Sequence, residues 1–216
     1  MKIALIGASG YVGSALLTEL LQRGHQVTAL VRRPEKLTQY PGLTAKKTDV
    51  LELNDLIFQI TGHDAVLSAY SGFAADVPET EAYDQHIEAT IKVIEAVRHA
   101  GVKRLLLVGG AGSLKVAPDL DLVDSPSFPA QWKTMALAAR AALNVVQQEQ
   151  ELDWTFLSPS AYLKPGERTG KFRLGQDDLL VGANGESEIS VQDYAVAMID
   201  ELEQPKHSRK RFTVGY

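Results

Sequence analysis

A glycine-rich turn near the N-terminus restricts what this chain can fold into more than any other feature of the sequence. Residues 7–13 read Gly-Ala-Ser-Gly-Tyr-Val-Gly, between an apolar run, Lys2–Ile6, and a segment with leucines at helical spacing. Gly7 permits a tight turn out of a strand, Gly10 lets the backbone approach an anion, and Gly13 lets the helix pack close to the sheet. Helix starts attract anions through free amides and the helix dipole, so the sequence predicts an anion-binding strand–turn–helix unit.

The anion that this turn suits best is the pyrophosphate of a dinucleotide. The spacing is G-x-x-G-x-x-G rather than the usual G-x-G-x-x-G, with Ala8 at the second position of the turn. A glycine triplet alone is weak evidence, but its place in a βαβ unit of about 30 residues makes the signal strong. The alternative is that the glycines serve packing only. The candidate binding residues of the turn are Gly7, Ser9, Gly10, Tyr11, Val12 and Gly13.

Short apolar runs alternate with longer helical patterns along the whole chain. The expected strands are Lys2–Ile6, Gln26–Val31, Thr44–Asp49, Ala65–Ala69, Arg104–Val108, Thr155–Leu157 and Arg211–Val214. The expected helices are Tyr11–Arg23, Leu53–Ile60, Thr80–His99, Pro129–Glu151 and Val191–Glu203. This alternation predicts right-handed βαβ crossovers and a mostly parallel sheet with helices on both faces. We therefore expect one doubly wound, Rossmann-like α/β domain over residues 1–216, with a small substrate-side portion at about 159–190.

Composition excludes several other classes of protein. The chain has no cysteine, so disulfide scaffolds and thiolate metal sites are excluded, and no histidine pair has metal-ligand spacing. The net charge is −5 and the basic run at residues 206–211 is short, so we expect no nucleic-acid partner. No apolar stretch reaches the ~20 residues of a membrane helix, and the N-terminus does not resemble a signal peptide. We expect no metal, no membrane partner and a cytoplasmic monomer or homodimer.

The residues after the second and third predicted strands bear on the choice of cofactor. Arg32 and Arg33 follow the second strand, and no carboxylate occurs there before Glu35. A carboxylate would bind the ribose hydroxyls and favour NAD, whereas two guanidinium groups suit a 2′-phosphate. We predict NADPH, with NADH as the alternative, unless both arginines simply face solvent. After the third strand, Asp49 and Val50 are placed to contact the adenine. The alternative is that Asp49 caps the next helix.

With these residues placed, the chain resembles an atypical short-chain dehydrogenase/reductase of the NmrA-like group. It is similar to bacterial proteins known as NADH-flavin reductases or NAD(P)-binding oxidoreductases. The resemblance covers essentially the whole chain. It rests on GASGYVG at 7–13, VRRPEK at 31–36, GVKRLLLVGGAGSL at 101–114, LDWTFLSPSAYLKPGERTGKFRLG at 152–175 and ISVQDYAVAMIDELE at 189–203.

The resemblance implies further roles around the cofactor. The ribose and phosphates are expected next to the residues after the fourth strand, Ala69, Tyr70 and Ser71. The nicotinamide is expected next to the residues after the fifth strand, Gly110, Ala111 and Ser113. Its carboxamide is expected next to the residues after the sixth strand, Pro159 and Ser160. The family fold also implies that residues 165–174 cover the substrate side.

The sequence departs from the family pattern where the catalytic acid is expected. Typical members carry a Tyr-x-x-x-Lys motif, whose tyrosine protonates the substrate and whose lysine lowers its pKa. Here Trp132 and Ala136 stand in those places, and an indole is not an acid. Lys133 is one residue away and reads as a surface lysine. We expect Ser113 to hydrogen-bond the substrate or the nicotinamide; the alternative is a loop serine whose hydroxyl binds its own backbone. We expect Trp132 to form an aromatic wall for a flat ligand; the alternative is that it packs in the core.

Transfer of hydride to a flavin, a quinone or a similar flat acceptor tolerates the missing acid, because the proton can come from water. The protein then only has to hold two flat rings at a separation of ~3–3.5 Å. We therefore expect an NADPH-dependent oxidoreductase with a flat acceptor. Two alternatives stay open: a non-catalytic NADPH-binding redox sensor of NmrA type, and an isomerase or lyase without net redox change.

Overall fold

Buried strands and amphipathic helices alternate through the part of the chain that the computed structural model describes, residues 1–73 and 77–216. The helices are α1 (Tyr11–Gln22), α2 (Leu53–Ile60), α3 (Glu79–His99), α4 (Lys133–Gln147) and α5 (Val191–Glu203). The first six strands are β1 (Lys2–Ile6), β2 (Gln26–Val31), β3 (Leu43–Lys47), β4 (Ala65–Ser68), β5 (Arg104–Val108) and β6 (Lys115–Ala117). The others are β7 (Leu120–Asp121), β8 (Asp153–Ser158), β9 (Tyr162–Lys164), β10 (Arg173–Gly175), β11 (Glu188–Ser190) and β12 (Lys210–Gly215). Among the helices of these described residues, none is long and apolar enough to cross a membrane.

Eight of these strands form one sheet in the order β10-β12-β8-β5-β4-β1-β2-β3. All neighbouring pairs are parallel except β10 and β12. The order runs outward from β1 in both directions, so a crevice opens at the carboxyl ends of β1 and β4, where the direction of winding reverses. The predicted fold class, a single doubly wound Rossmann-like domain, is confirmed.

The helices cover both faces of the sheet, as predicted. Alternate residues of β1 show this, because Ile3 and Leu5 belong to one apolar cluster and Ala4 and Ile6 to the other. The first cluster contains leucines of α1 and most of the buried face of α5. The second contains apolar residues of α2, α3 and α4. The glycine-rich turn therefore begins the helix that packs beside α5.

The predicted boundaries differ from the observed ones mainly at short or irregular elements. The helix expected at Pro129–Glu151 is a 3₁₀ turn, Ala130–Trp132, followed by the shorter α4. The five strands β6, β7, β9, β10 and β11 have two or three residues each and were not predicted. Such strands are too short to show an alternating pattern, and β9, β10 and β11 also depend on partners distant in the sequence.

The connection between β2 and β3 lacks the helix that usually covers a parallel crossover. It has a single 3₁₀ turn, Pro34–Lys36, before β3 begins at Leu43. The connection lies beside α1, since residues of both line one cleft. Both faces of parallel sheets are normally covered. Here the face beside α1 has an open groove at the β2–β3 edge.

Residues 165–171 form an exposed loop that polar side chains hold against α5 and α1. The fully buried carboxylate of Asp193 accepts hydrogen bonds from the backbone amides of Thr169 and Gly170, both at 2.8 Å. Arg168 makes a two-pronged ion pair with Glu19 of α1, with both nitrogen–oxygen distances at 2.7 Å. That the loop covers the substrate side stays a prediction.

The Arg168–Glu19 pair predicts a pH dependence of stability. Its hydrogen bonds are the largest cause that lowers the pKa of Glu19 below the ordinary 4.5. A carboxyl whose pKa is lowered in the folded state stabilises the fold above its unfolded-state pKa, and this stabilisation is lost as the pH falls through the folded-state pKa. Because Arg168 is half-exposed, we expect Arg168→Ala to cost under about 1 kcal/mol at neutral pH. Urea unfolding at about pH 7 and pH 3 should show the cost shrink on acidification; a constant cost would contradict it.

Candidate functional site

The glycine-rich turn packs so closely that side chains would not fit at two of its three glycines. Gly7 has a φ of +77°, and a Cβ there would lie 2.7 Å from the carbonyl oxygen of Ala69. A Cβ on Gly13 would lie 2.0 Å from the carbonyl oxygen of Gly7. A Cβ on Gly10 would be 3.3 Å from that same oxygen, which is tight but not prohibitive. Gly7 and Gly13 are therefore required by the fold, whereas Gly10 has room that an approaching ligand can use.

The start of α1 provides the donors for an anion. Gly10 is the N-cap residue and has no side chain to bind the first amides of the helix. The amides of the first turn, at Tyr11, Val12 and Gly13, have no acceptor within the helix, because the residue four positions earlier lies before the helix begins. Together with Ser9, which lines the adjoining cleft, they form a cradle of the kind that binds phosphate groups. Such a cradle attracts negatively charged groups such as a pyrophosphate.

A cleft of about 590 Å³ continues from the turn, between α1 and the β2–β3 connection. Three cationic side chains, Arg32, Arg33 and Lys36, line it, and no carboxylate does. Among the described residues none of the three makes a salt bridge. The two predicted arginines thus lie beside Ser9, and the structure adds Lys36, which the sequence reasoning did not assign.

The residues after β3 and β4 meet the arginines at the crevice. Burial raises the pKa of the Tyr70 phenol, while Arg32 opposes that rise and Asp49 adds to it, so both charges lie within electrostatic reach of the ring. The Asp49 carboxylate accepts from the amide of Leu51 at 3.1 Å, in a turn before α2, whose N-cap residue is Glu52, so Asp49 does not cap that helix. Val50 is buried. The exposed Ser71 hydroxyl accepts from the amide of Phe73 at 3.3 Å. Ala69 touches the glycine turn, so this half of the predicted site is assembled in one place.

The second half of the predicted site lies at the ends of β5 and β8. A Cβ on Gly110 would be 2.7 Å from the Cβ of Ala139, so the loop after β5 packs directly on α4. Pro159 is buried directly after β8. Trp132, which is 42% exposed, lies at the start of α4 and meets Tyr162 edge to face at 6.4 Å between ring centroids. These two exposed aromatic rings form a surface that a flat molecule can contact.

Two of the predicted hydroxyl groups are engaged within the protein. Ser160 is 1% exposed and donates to the carbonyl oxygen of Val214 at 2.8 Å. Ser113 is buried and its Oγ accepts from Arg211 at 3.3 Å, which leaves its own proton free. Arg211 comes 98 positions later in the chain, so no sequence pattern indicated this contact. Their roles at the nicotinamide stay predictions.

No cluster of three or more histidine, aspartate or glutamate side chains suited to a metal occurs within residues 1–73 and 77–216. The backbone amides, the guanidinium and ammonium groups and the aromatic rings described above are groups that bind phosphates and flat rings.

Comparison with known proteins agrees with this geometry. The uncharacterised Bacillus subtilis protein YwnB is 41% identical over 99% of this chain and 98% of its own length. A Bacteroides thetaiotaomicron structure provisionally named an epimerase is 50% identical, with a TM-score of 0.91 over 100% of this chain and 96% of that one. A Streptococcus pneumoniae structure provisionally named an NADH-flavin reductase is 35% identical, with a TM-score of 0.87 over 100% of this chain and 99% of that one.

A family described as NAD(P)H-binding matches residues 7–205, from the first glycine of the turn to beyond the end of α5. The match spans the phosphate cradle, the cationic cleft and the loops at the carboxyl ends of the strands. The expected resemblance to atypical short-chain dehydrogenases/reductases is supported, and the cofactor is a nicotinamide dinucleotide. This chain belongs to the NAD(P)H-binding family.

Proposed function

We propose that this protein is an NADPH-dependent oxidoreductase that delivers hydride to a flavin, a quinone or a similar flat acceptor. One observation carries the choice of NADPH: the cleft beside the phosphate cradle has three cations and no carboxylate among its lining residues. A 2′-phosphate carries about two negative charges and accepts charge-assisted hydrogen bonds from guanidinium groups. A ribose 2′-hydroxyl would leave the guanidinium and ammonium groups of Arg32, Arg33 and Lys36 without an anionic partner.

The residues of this chain bind and orient rather than supply an acid. When bound, the nicotinamide supplies the hydride from its C4 atom. The turn at residues 7–13 holds the pyrophosphate, and the arginines hold the adenosine end. Trp132 and Tyr162 offer apolar ring surface for the acceptor on the side of the ends of β5 and β8. With tryptophan in place of the family tyrosine, the proton of the reaction comes from water.

The proposal is tested with a panel of acceptors. Protein, NADPH and either FMN, FAD or a soluble quinone are mixed, and the loss of nicotinamide absorbance is followed. Acceleration over the protein-free reaction with at least one acceptor supports the oxidoreductase. Tight NADPH binding without acceleration by any acceptor would instead favour the redox sensor, and a rearranged product without loss of NADPH would favour an isomerase.

Truncation of the exposed indole should weaken binding of the acceptor and leave binding of the cofactor unchanged. Aromatic contacts contribute about 0.5–1.5 kcal/mol, so we expect Trp132→Ala to raise KM for the acceptor by roughly 2- to 10-fold. Trp132→Phe should restore most of the loss, and the Kd for NADPH should not change. Steady-state kinetics with the best acceptor of the panel check this. An unchanged KM in Trp132→Ala would remove the ring from the acceptor site.

A further inference from the structure

We propose that the groove left by the missing β2–β3 crossover helix is a second ligand site, which takes an amphiphilic anion: a carboxylate or phosphate with an aliphatic chain. The groove begins at the cations beside Ser9 and continues along α1 to Gln22. From Ser14 to Gln22 the helix rises about 12 Å. In the proposed function the 2′-phosphate uses only the cations of this groove, Arg32, Arg33 and Lys36.

The groove has both apolar and polar lining residues, and Thr18, Gln22 and Thr38 lie there beside its leucines. Leu21, Leu37 and Leu43 are half-buried there, pack against the core cluster of α1 and still line the groove. An adjoining cleft of about 840 Å³ shares Leu37, Tyr40 and Leu43 with the first. Small-molecule sites commonly have volumes of this size. The adjoining cleft is also lined by Glu35, whereas the cleft beside the cradle has cations only among its charged lining residues. The groove therefore suits a hydrocarbon chain that begins at the cations.

Charge favours an anionic head on that chain. Three cations line the groove against no carboxylate, and Lys46 and Lys47 of β3 add exposed positive charge at the same edge. The whole chain carries a net charge of −5, so this edge opposes the overall charge. A neutral lipid would leave the cations without a partner, and a bare phosphate would leave the leucines in contact with water.

Together with the proposed function, this second site predicts competition between the amphiphile and NADPH. The head of the amphiphile and the 2′-phosphate of NADPH use the same cations, whereas NADH has no group there. Such a ligand would therefore compete with NADPH and leave NADH binding unaffected. The protein would respond to amphiphilic anions by a change of cofactor preference.

The experiment uses decanoate, below its micelle concentration, as the probe in calorimetric titrations of the full chain. Decanol and acetate serve as the uncharged and chainless comparisons. We expect saturable binding of decanoate only. At ten times its own Kd, decanoate should raise the apparent Kd for NADPH about tenfold and that for NADH less than about twofold. Dodecyl phosphate in place of decanoate tests whether a phosphate head serves as well as a carboxylate.

A bulky substitution in the lower groove separates this site from the cofactor site. Thr18 is exposed on α1 and lines the groove, so Thr18→Trp should abolish decanoate binding while the Kd for NADPH stays unchanged. Asn54→Trp, at an exposed position of α2 on the other face of the sheet, is the matched control. Absence of saturable decanoate binding, or binding that Thr18→Trp leaves intact, would overturn the second site alone. If the wild-type protein bound neither NADPH nor NADH, the proposed function would be overturned.

Discussion

Replacement of both arginines after β2 should remove most of the preference for NADPH. In Arg32→Ala/Arg33→Ala, the 2′-phosphate loses its bidentate partners and keeps only Lys36 in the cleft. A hydrogen bond to a charged group contributes about 1.5–3 kcal/mol, so loss of one such bond already predicts a Kd for NADPH that is roughly 10- to 150-fold higher, and loss of two predicts a larger increase. The Kd for NADH should change less than about threefold, because a hydrogen bond between a ribose hydroxyl and a guanidinium group contributes little to the binding free energy. Titration by quenching of protein fluorescence measures both constants.

The control for this prediction is Lys46→Ala/Lys47→Ala. These two exposed lysines lie on β3, the strand next to β2, and their removal changes the net charge by the same amount. A small loss of NADPH affinity that disappears at high salt would reflect only the general field of the surface. Equal losses for NADPH and NADH in the arginine variant would show that the two residues support the fold or the ribose rather than the 2′-phosphate.

The sheet was predictable because its strands carry the signal locally. The runs at 65–67 and 105–107 are buried on both faces and so are continuously apolar, as central parallel strands are. Each is followed by a helix with a 3.6-residue period and often a glycine stop. The short strands carry no such signal. The β9–β11 pair, for instance, joins each residue of Tyr162–Lys164 to a residue 26 positions later.

The part of the candidate site that could be predicted from the sequence consists of residues whose type and position suit only one role. The glycines at 7–13 are of this kind, since backbone geometry alone decides what fits there. Arg32 and Arg33 were found because their place after the second strand is itself a signal. Lys36 was missed, because its approach to the cleft depends on the 3₁₀ turn at Pro34–Lys36. The engagement of Ser113 by Arg211 depends on tertiary structure in the same way.

The glycines of the turn have separable roles, which two alanine variants should distinguish. In Gly13→Ala the new Cβ would lie 2.0 Å from the carbonyl oxygen of Gly7, so the backbone of the turn has to move. Overpacking of this kind costs about 1–3 kcal/mol, and we expect the upper end because the clash is with backbone rather than with a flexible side chain. For a chain of this length, that predicts a Tm lower by roughly 6–12 °C. Binding of NADPH and NADH should be lost together, because the displaced turn no longer presents its amides.

Gly10→Ala should separate the cradle from the fold. Its Cβ would lie 3.3 Å from the same oxygen, and Gly10 has a φ of −78°, which alanine adopts without strain. Stability should therefore change by less than about 1 kcal/mol. Both cofactors should bind at least about tenfold more weakly, because a methyl group now stands where the pyrophosphate approaches the amides. Thermal unfolding and cofactor titration of the two variants together check this. Wild-type affinity in Gly10→Ala would place the phosphates elsewhere, whereas a wild-type Tm in Gly13→Ala would contradict the geometry of the turn itself.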